Sequence, residues 1–154
     1  MSVEIRTTDF TADRRLVEEA EREMSIDSGT VRRSKEEGLF QLVRDSLNNN
    51  RNKLERAQGA SFCAFDEGRS IGYVFANVDG LQRTGFITAI YVVQKFRDQG
   101  IGRQLTEHLL DYLLGHGIND IGLVVTATND RARHLYESFG FEIKRHVMRR
   151  ITRP

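Results

Sequence analysis

The strongest constraint on this chain is a change of hydrophobic period on either side of residue 100. Gly85 to Val93 is a short, apolar-rich run of strand character, whereas Leu105, Leu109, Tyr112 and Leu113 recur at helical spacing from about Gly102 to Gly115. Between the two lies Arg97-Asp98-Gln99-Gly100-Ile101-Gly102. A strand that passes straight into an amphipathic helix needs a sheet to pair with and a helical layer to cover it, which selects an α/β architecture. The loop has chemistry of its own. The first amides of the helix and the positive end of its dipole point into it, a setting that favours an anion. Glycine at 100 and 102 lets an anion approach the backbone and opens φ values closed to other residues. The dipole contributes about 0.3 to 1 kcal/mol and each hydrogen bond to a charged group about 1.5 to 3, so several amides must act on a phosphate-rich ligand together. Taken alone, the same glycines also suit a plain loop-to-helix junction. Two common phosphate loops are excluded, because no Gly-Lys-Ser/Thr follows and Leu105 stands at the third-glycine position of a dinucleotide fingerprint.

The remaining elements follow from the same periodicities. Val3 to Thr7 alternates as a strand, and a helix capped at Asp9 or Thr11 runs to about Met24 on Leu16, Val17, Ala20 and Met24. Leu39, Leu42, Val43 and Leu47 mark a second helix after the polar break at Ser25 to Thr30. Ala60 to Phe65 and Ile71 to Val78, split by Asp66-Glu67-Gly68-Arg69, read as a hairpin, and Gly85 to Val93 is the third strand of that group. Ile121 to Thr126 is β-branched, Asn129 to Phe139 returns to helical spacing before Gly140, and Phe141 to Ile151 reads as a last strand. The expected order is β-α-α-β-β-β-α-β-α-β, a mixed α/β (α+β) sheet in a single domain over residues 1 to 154.

Composition narrows the partners. Lys plus Arg exceeds Asp plus Glu only by 23 to 22, so no overall field draws in nucleic acid or a membrane surface, and a polyanion site must be local. The start lacks the apolar stretch of a signal peptide and no eighteen apolar residues run together, which makes the cytoplasm the expected compartment. Cys63 is the single cysteine, so an internal disulfide and a cysteine zinc site are both excluded. The four histidines lack metal-ligand spacing, and no metal is expected.

Four segments in order carry a family resemblance: Ile90-Tyr91-Val92, Phe96 to Gly102, Asn129-Asp130-Arg131-Ala132, and Leu135-Tyr136-Glu137-Ser138-Phe139-Gly140-Phe141. Together they resemble the GCN5-related N-acetyltransferase (GNAT) family, most strongly over residues 60 to 141. Gln94 departs from the pattern, since many members carry proline there. The resemblance implies acetyl-CoA as acetyl donor and an amine as acceptor, either a small molecule or a protein N-terminus or lysine, with a homodimer as one form of assembly. A non-catalytic acyl-CoA sensor is the alternative. It further implies that the strand at Ile90 and Val92 splays from its neighbour and pairs with the pantetheine arm. Arg97 would bind the cofactor, the loop amides of Asp98, Gln99, Gly100, Ile101, Gly102 and Arg103 would hold the pyrophosphate, Asn129 would face the cofactor arm, and Tyr136 would protonate the departing thiolate. Tyr136 also fits an apolar helix face with Ala132, Leu135 and Phe139. The general base is left open: Thr84 to Val93 has no carboxylate, and Val124 stands where relatives acting on ribosomal-protein N termini have glutamate. Glu18, Glu21, Asp27, Glu36 and Glu37 are candidates for acceptor contact, and the basic C-terminus from Lys144 to Arg153 reads first as protection of an edge strand.

Overall fold

The computed structural model describes residues 2–9, 11–27, 59–148, 150 and 152. Its elements are β1 (Glu4–Thr7), α1 (Arg14–Asp27), β2 (Gly59–Asp66), β3 (Arg69–Asp79), β4 (Thr84–Val92), a 3-10 turn (Gln94–Phe96), α2 (Ile101–Gly115), β5 (Asp120–Leu123) and α3 (Asp130–Ser138). The expected helix around Leu39 to Leu47 lies outside the described residues. Two compact units divide the chain, residues 1–124 and 125–154.

The first unit is a five-stranded sheet in the order β1-β2-β3-β4-β5, antiparallel up to β4 and parallel between β4 and β5. The β2-β3 hairpin turns on Glu67 and Gly68, whose φ values of 49° and 77° are those of the turn that matches strand twist. Between β3 and β4, Asp79 Oδ1 accepts from the amides of Leu81 and Gln82, both at 3.0 Å. The parallel β4-β5 pair requires a crossover, and α2 supplies it. Period-two alternation sends the side chains of β3 to two different helices. Tyr73 and Phe75 join Cys63, Phe65, Ala89 and Tyr91 beneath Leu16, Val17 and Ala20 of α1. Gly72 lies beneath α2, where an added Cβ would sit 2.8 Å from Leu105 Cδ1. With both faces covered, Ile71 to Ala76 are all buried. The buried polar residues Thr8, Ser61 and Asp13 are paired: Ser61 Oγ lies 2.6 Å from Thr8 Oγ1 and donates to the Val74 carbonyl at 3.0 Å, and Asp13 meets Arg6 at 3.3 Å.

In the second unit, Asn129 starts α3, its Oδ1 accepting from the Ala132 amide at 3.1 Å. Gly140, at φ 89°, ends the helical turn, and Phe141 N–H donates back to the Tyr136 carbonyl at 3.1 Å. The last strand expected from Phe141 to Ile151 is absent among the described residues of that stretch. A strand exists only through its ladder, and here the apolar residues Ile143, Val147 and Met148 are all exposed and share no buried face. Lys144 meets Glu142 at 2.7 Å instead of guarding a sheet edge.

Candidate active site

The site begins with an interruption in the sheet. The β4-β5 ladder runs from Thr84↔Asp120 to Ile87↔Leu123, yet β4 continues to Val92. Immediately after Ile87 comes a bulge, with Ala89 opposite Phe75 and Ile87 opposite Ala76, so that Thr88 is the extra residue. A bulge bends its strand and sharpens the local twist, which accounts for the divergence of β4 from β5 at this point. Main-chain groups of the Thr88 to Val92 stretch are thereby left without a ladder on the β5 side among the described residues. The splay expected for Ile90 and Val92 is present.

Beyond this edge the chain turns through Gln94–Phe96 and reaches Gly100, which has φ 80° and immediately precedes α2. Asp98 also takes a positive φ, 65°. The first intrahelical bond runs from Gln104 N–H to the Gly100 carbonyl at 3.0 Å, which places the amides of Ile101, Gly102 and Arg103 ahead of the ladder. No side chain caps this end and no acid lies in the first turn. Ile101 is buried and anchors the helix start, while Asp98, Gln99, Gly100 and Arg103 are exposed around it. The contrast with α3 is chemical: there Asn129 accepts from the Ala132 amide and Asp130 adds negative charge, whereas the α2 terminus has neither a side-chain cap nor an acid in its first turn. Arg97, expected among the cofactor-binding residues, donates from Nε to the Val92 carbonyl at 2.8 Å.

Of the two expected residues in the second unit, Asn129 is exposed and uses its side-chain oxygen as the helix cap, which leaves its Nδ2 for the role implied by the resemblance. Tyr136 is 6 % exposed and meets Phe141 edge to face at 5.8 Å. Burial pushes its phenol up to about 12. The group is therefore protonated at neutral pH and has a hydrogen to donate.

A contact that sequence reasoning missed joins α1 to the diverging part of β4. Tyr91 O–H donates to Glu19 Oε1 at 2.9 Å, and the Arg97 guanidinium carbon lies 5.5 Å from the centre of the Tyr91 ring. Glu19 and Tyr91 are 72 residues apart, so no local pattern could have signalled the pair. Glu18, a sequence candidate for acceptor contact, pairs with Arg14 at 2.9 Å. Glu36 and Glu37 lie outside the described residues. Val124 is exposed.

Residues 15–141 match the Acetyltransferase (GNAT) family, and the chain belongs to it. It is similar to N-alpha-acetyltransferase 30 of Schizosaccharomyces pombe, with 36 % identity over 84 residues, 53 % of this chain and 56 % of that protein. The [ribosomal protein bS18]-alanine N-acetyltransferase of Escherichia coli K12 is 46 % identical over 52 residues, 34 % of this chain and 35 % of that one. The chain thus spans about half the length of the first of these relatives and about a third of the second. Among solved structures, the PaiA N-acetyltransferase of Thermoplasma acidophilum in complex with coenzyme A shares the fold at a TM-score of 0.74 and 19 % identity, covering 94 % of this chain and 92 % of that one. No described helix is long and apolar enough to cross a membrane.

Proposed function

We propose that this chain is a single-domain, cytoplasmic acetyltransferase that moves the acetyl group of acetyl-CoA to an amine. The observation that carries the reading is the start of α2, where three amides stand ahead of the helical ladder with no side-chain cap and no acid in the first turn, next to a strand whose edge has lost its neighbour. A pyrophosphate suits the first feature and an extended, amide-bearing arm the second. The family match supports treating both units as one domain, since it runs from residue 15 to 141 across them. In this reading Gly100, Ile101, Gly102 and Arg103, with Asp98 and Gln99 before them, surround the pyrophosphate. Ile90 and Val92 present main-chain groups to the arm, and Asn129 Nδ2 donates to it.

The acetyl donor supplies an activated thioester. The acceptor amine attacks its carbonyl carbon, a C–N bond forms, the C–S bond breaks with its electron pair going to sulfur, and the proton lost from the nitrogen passes through solvent to the departing thiolate, giving an amide and a free thiol. Tyr136 holds a proton for that sulfur. With the phenol near 12, complete transfer to a thiolate of ordinary pKa, about 8.5, costs about 5 kcal/mol, so Tyr136 acts by hydrogen-bond donation to the departing sulfur. The acceptor must arrive as the free amine. Deprotonation at pH 7.4 costs about 4 kcal/mol for a lysine side chain and less than about 1 for an α-amino group. That difference favours an α-amino acceptor wherever no strong base assists.

Thiol release from acetyl-CoA across a panel of N-terminal peptides, lysine peptides and small polyamines tests the proposal. Release that depends on an amine, with acetylated product seen by mass spectrometry, is the expected result. Binding of acetyl-CoA without turnover on any amine would assign the chain to the non-catalytic acyl-CoA class instead.

A further inference from the structure

The family resemblance groups Arg97 with the cofactor-binding residues, yet its side chain is turned back to the strand. Its Nε donates to the Val92 carbonyl at 2.8 Å, and its guanidinium carbon lies 5.5 Å from the centre of the Tyr91 ring. That ring is itself fixed, being 6 % exposed with its hydroxyl donating to Glu19 at 2.9 Å. Which edge Val92 presents follows from the ladder. Val93 N–H donates to the Ile71 carbonyl at 2.8 Å, and in an antiparallel pair bonded and non-bonded residues alternate. Val92 and Ile90 therefore turn their N–H and C=O groups away from β3, toward the side where the ladder to β5 has ended at Ile87↔Leu123. Of these edge groups, the Val92 carbonyl is already engaged by Arg97.

Resting on the acetyl-donor reading above, we infer that Arg97 is a positioning residue that closes the free edge of β4 at the Val92 carbonyl and so sets the register of the amide-bearing arm. The arm can pair with Ile90 N–H, Ile90 C=O and Val92 N–H, and it cannot slide past Val92 by donating to the next carbonyl. A slip of one repeat, two residues, moves a paired chain by about 6.6 Å. Reacting atoms must come within about 3 to 3.5 Å, so such a slip takes the thioester out of reach of the acceptor. Arginine suits this task because its Nε–H donates sideways from the stem while the guanidinium plane lies against an aromatic ring; lysine keeps the charge but has no donor at that position.

A phosphate-free donor separates this role from that of a phosphate-binding cation. Dissociation constants of acetyl-CoA and of S-acetyl-pantetheine would be measured by calorimetry for the wild type and for Arg97→Lys, together with the unliganded melting temperature. Closure of the edge predicts that Arg97→Lys weakens both ligands to the same extent, by about tenfold, because the Val92 edge loses the hydrogen bond that holds it in its pairing geometry before the arm arrives. A loss confined to acetyl-CoA, or no loss with either ligand, would overturn the inference. The wild type supplies a check that needs no variant to fold: the Arg97 Nε–H nuclear magnetic resonance signal should keep its protection from solvent exchange when S-acetyl-pantetheine is saturating. Loss of that protection would also overturn it. Wild-type protein that binds neither thioester would refute the acetyl-donor reading itself, an outcome distinct from all of these.

Discussion

At Tyr136, burial and chemistry pull in opposite directions. A phenol near 12 is a poor acid, but it is also a donor that never loses its proton at physiological pH. Tyr136→Phe keeps the ring and removes the donor. Turnover should fall by about ten- to a thousandfold, while the dissociation constant of acetyl-CoA barely moves. Full turnover across several pH values would return the side chain to packing alone. Cys63 makes a different prediction. It is fully buried with Sγ 3.4 Å from Thr8 Oγ1, and burial raises its thiol from 9.0 to about 12. The unfolded chain gives up that proton near pH 9 while the folded chain keeps it, so between pH 9 and 12 the folded state binds more protons. Stability should therefore fall as pH rises through that window. Urea midpoints measured from about pH 8 to 11 should drift downward, and Cys63→Ala should reduce the slope of that drift. A slope unchanged in the mutant would place the alkaline loss elsewhere.

At the scale of elements, the start of α2 and the strand beneath it carry two glycine requirements that fail in different ways. Gly100 has φ 80° but open space around its missing Cβ, so a side chain there meets backbone strain and the proposed ligand, not its neighbours. Gly100→Glu or Gly102→Glu should leave a folded protein whose melting temperature no longer responds to acetyl-CoA, because a carboxylate then faces the pyrophosphate. Unchanged affinity would reduce the loop to a junction. Gly72 is limited by packing instead, with Leu105 Cδ1 at 2.8 Å and Ile101 Cγ2 at 3.3 Å from an added Cβ. Gly72→Ala should lower stability by roughly 1 to 3 kcal/mol, the usual range for overpacking, as read from denaturant midpoints. The two helices flanking the sheet thus meet it differently: α2 packs on Gly72 and Gly85 and on the ring of Phe62, α1 on the rings of Phe65, Tyr73, Phe75 and Tyr91.

For the whole molecule, the proposed site predicts a link between ligand and stability. A ligand bound only by the folded chain stabilises it by mass action, by roughly 2.7 kcal/mol at a hundredfold excess over its dissociation constant. Acetyl-CoA should raise the melting temperature in a concentration-dependent way, and a flat response at millimolar concentrations would remove the central claim. Much of this was legible in the residues. The α/β class, the β2-β3 hairpin, the glycine loop, the helix over Leu105, Leu109 and Leu113, and the family itself follow from period, turn chemistry and motif, all of which act over a few neighbouring residues. The residues from 141 onward were misjudged for the complementary reason: alternation marks a chain able to pair, but a strand forms only where another edge is offered. Tertiary structure alone decided the bulge at Thr88, the end of the β4-β5 ladder at Ile87, the bond from Tyr91 to Glu19 and the turning of Arg97 onto Val92. Each depends on how strands register and on which helix lies over them, and hydrogen bonds between residues far apart in the chain leave no period in it.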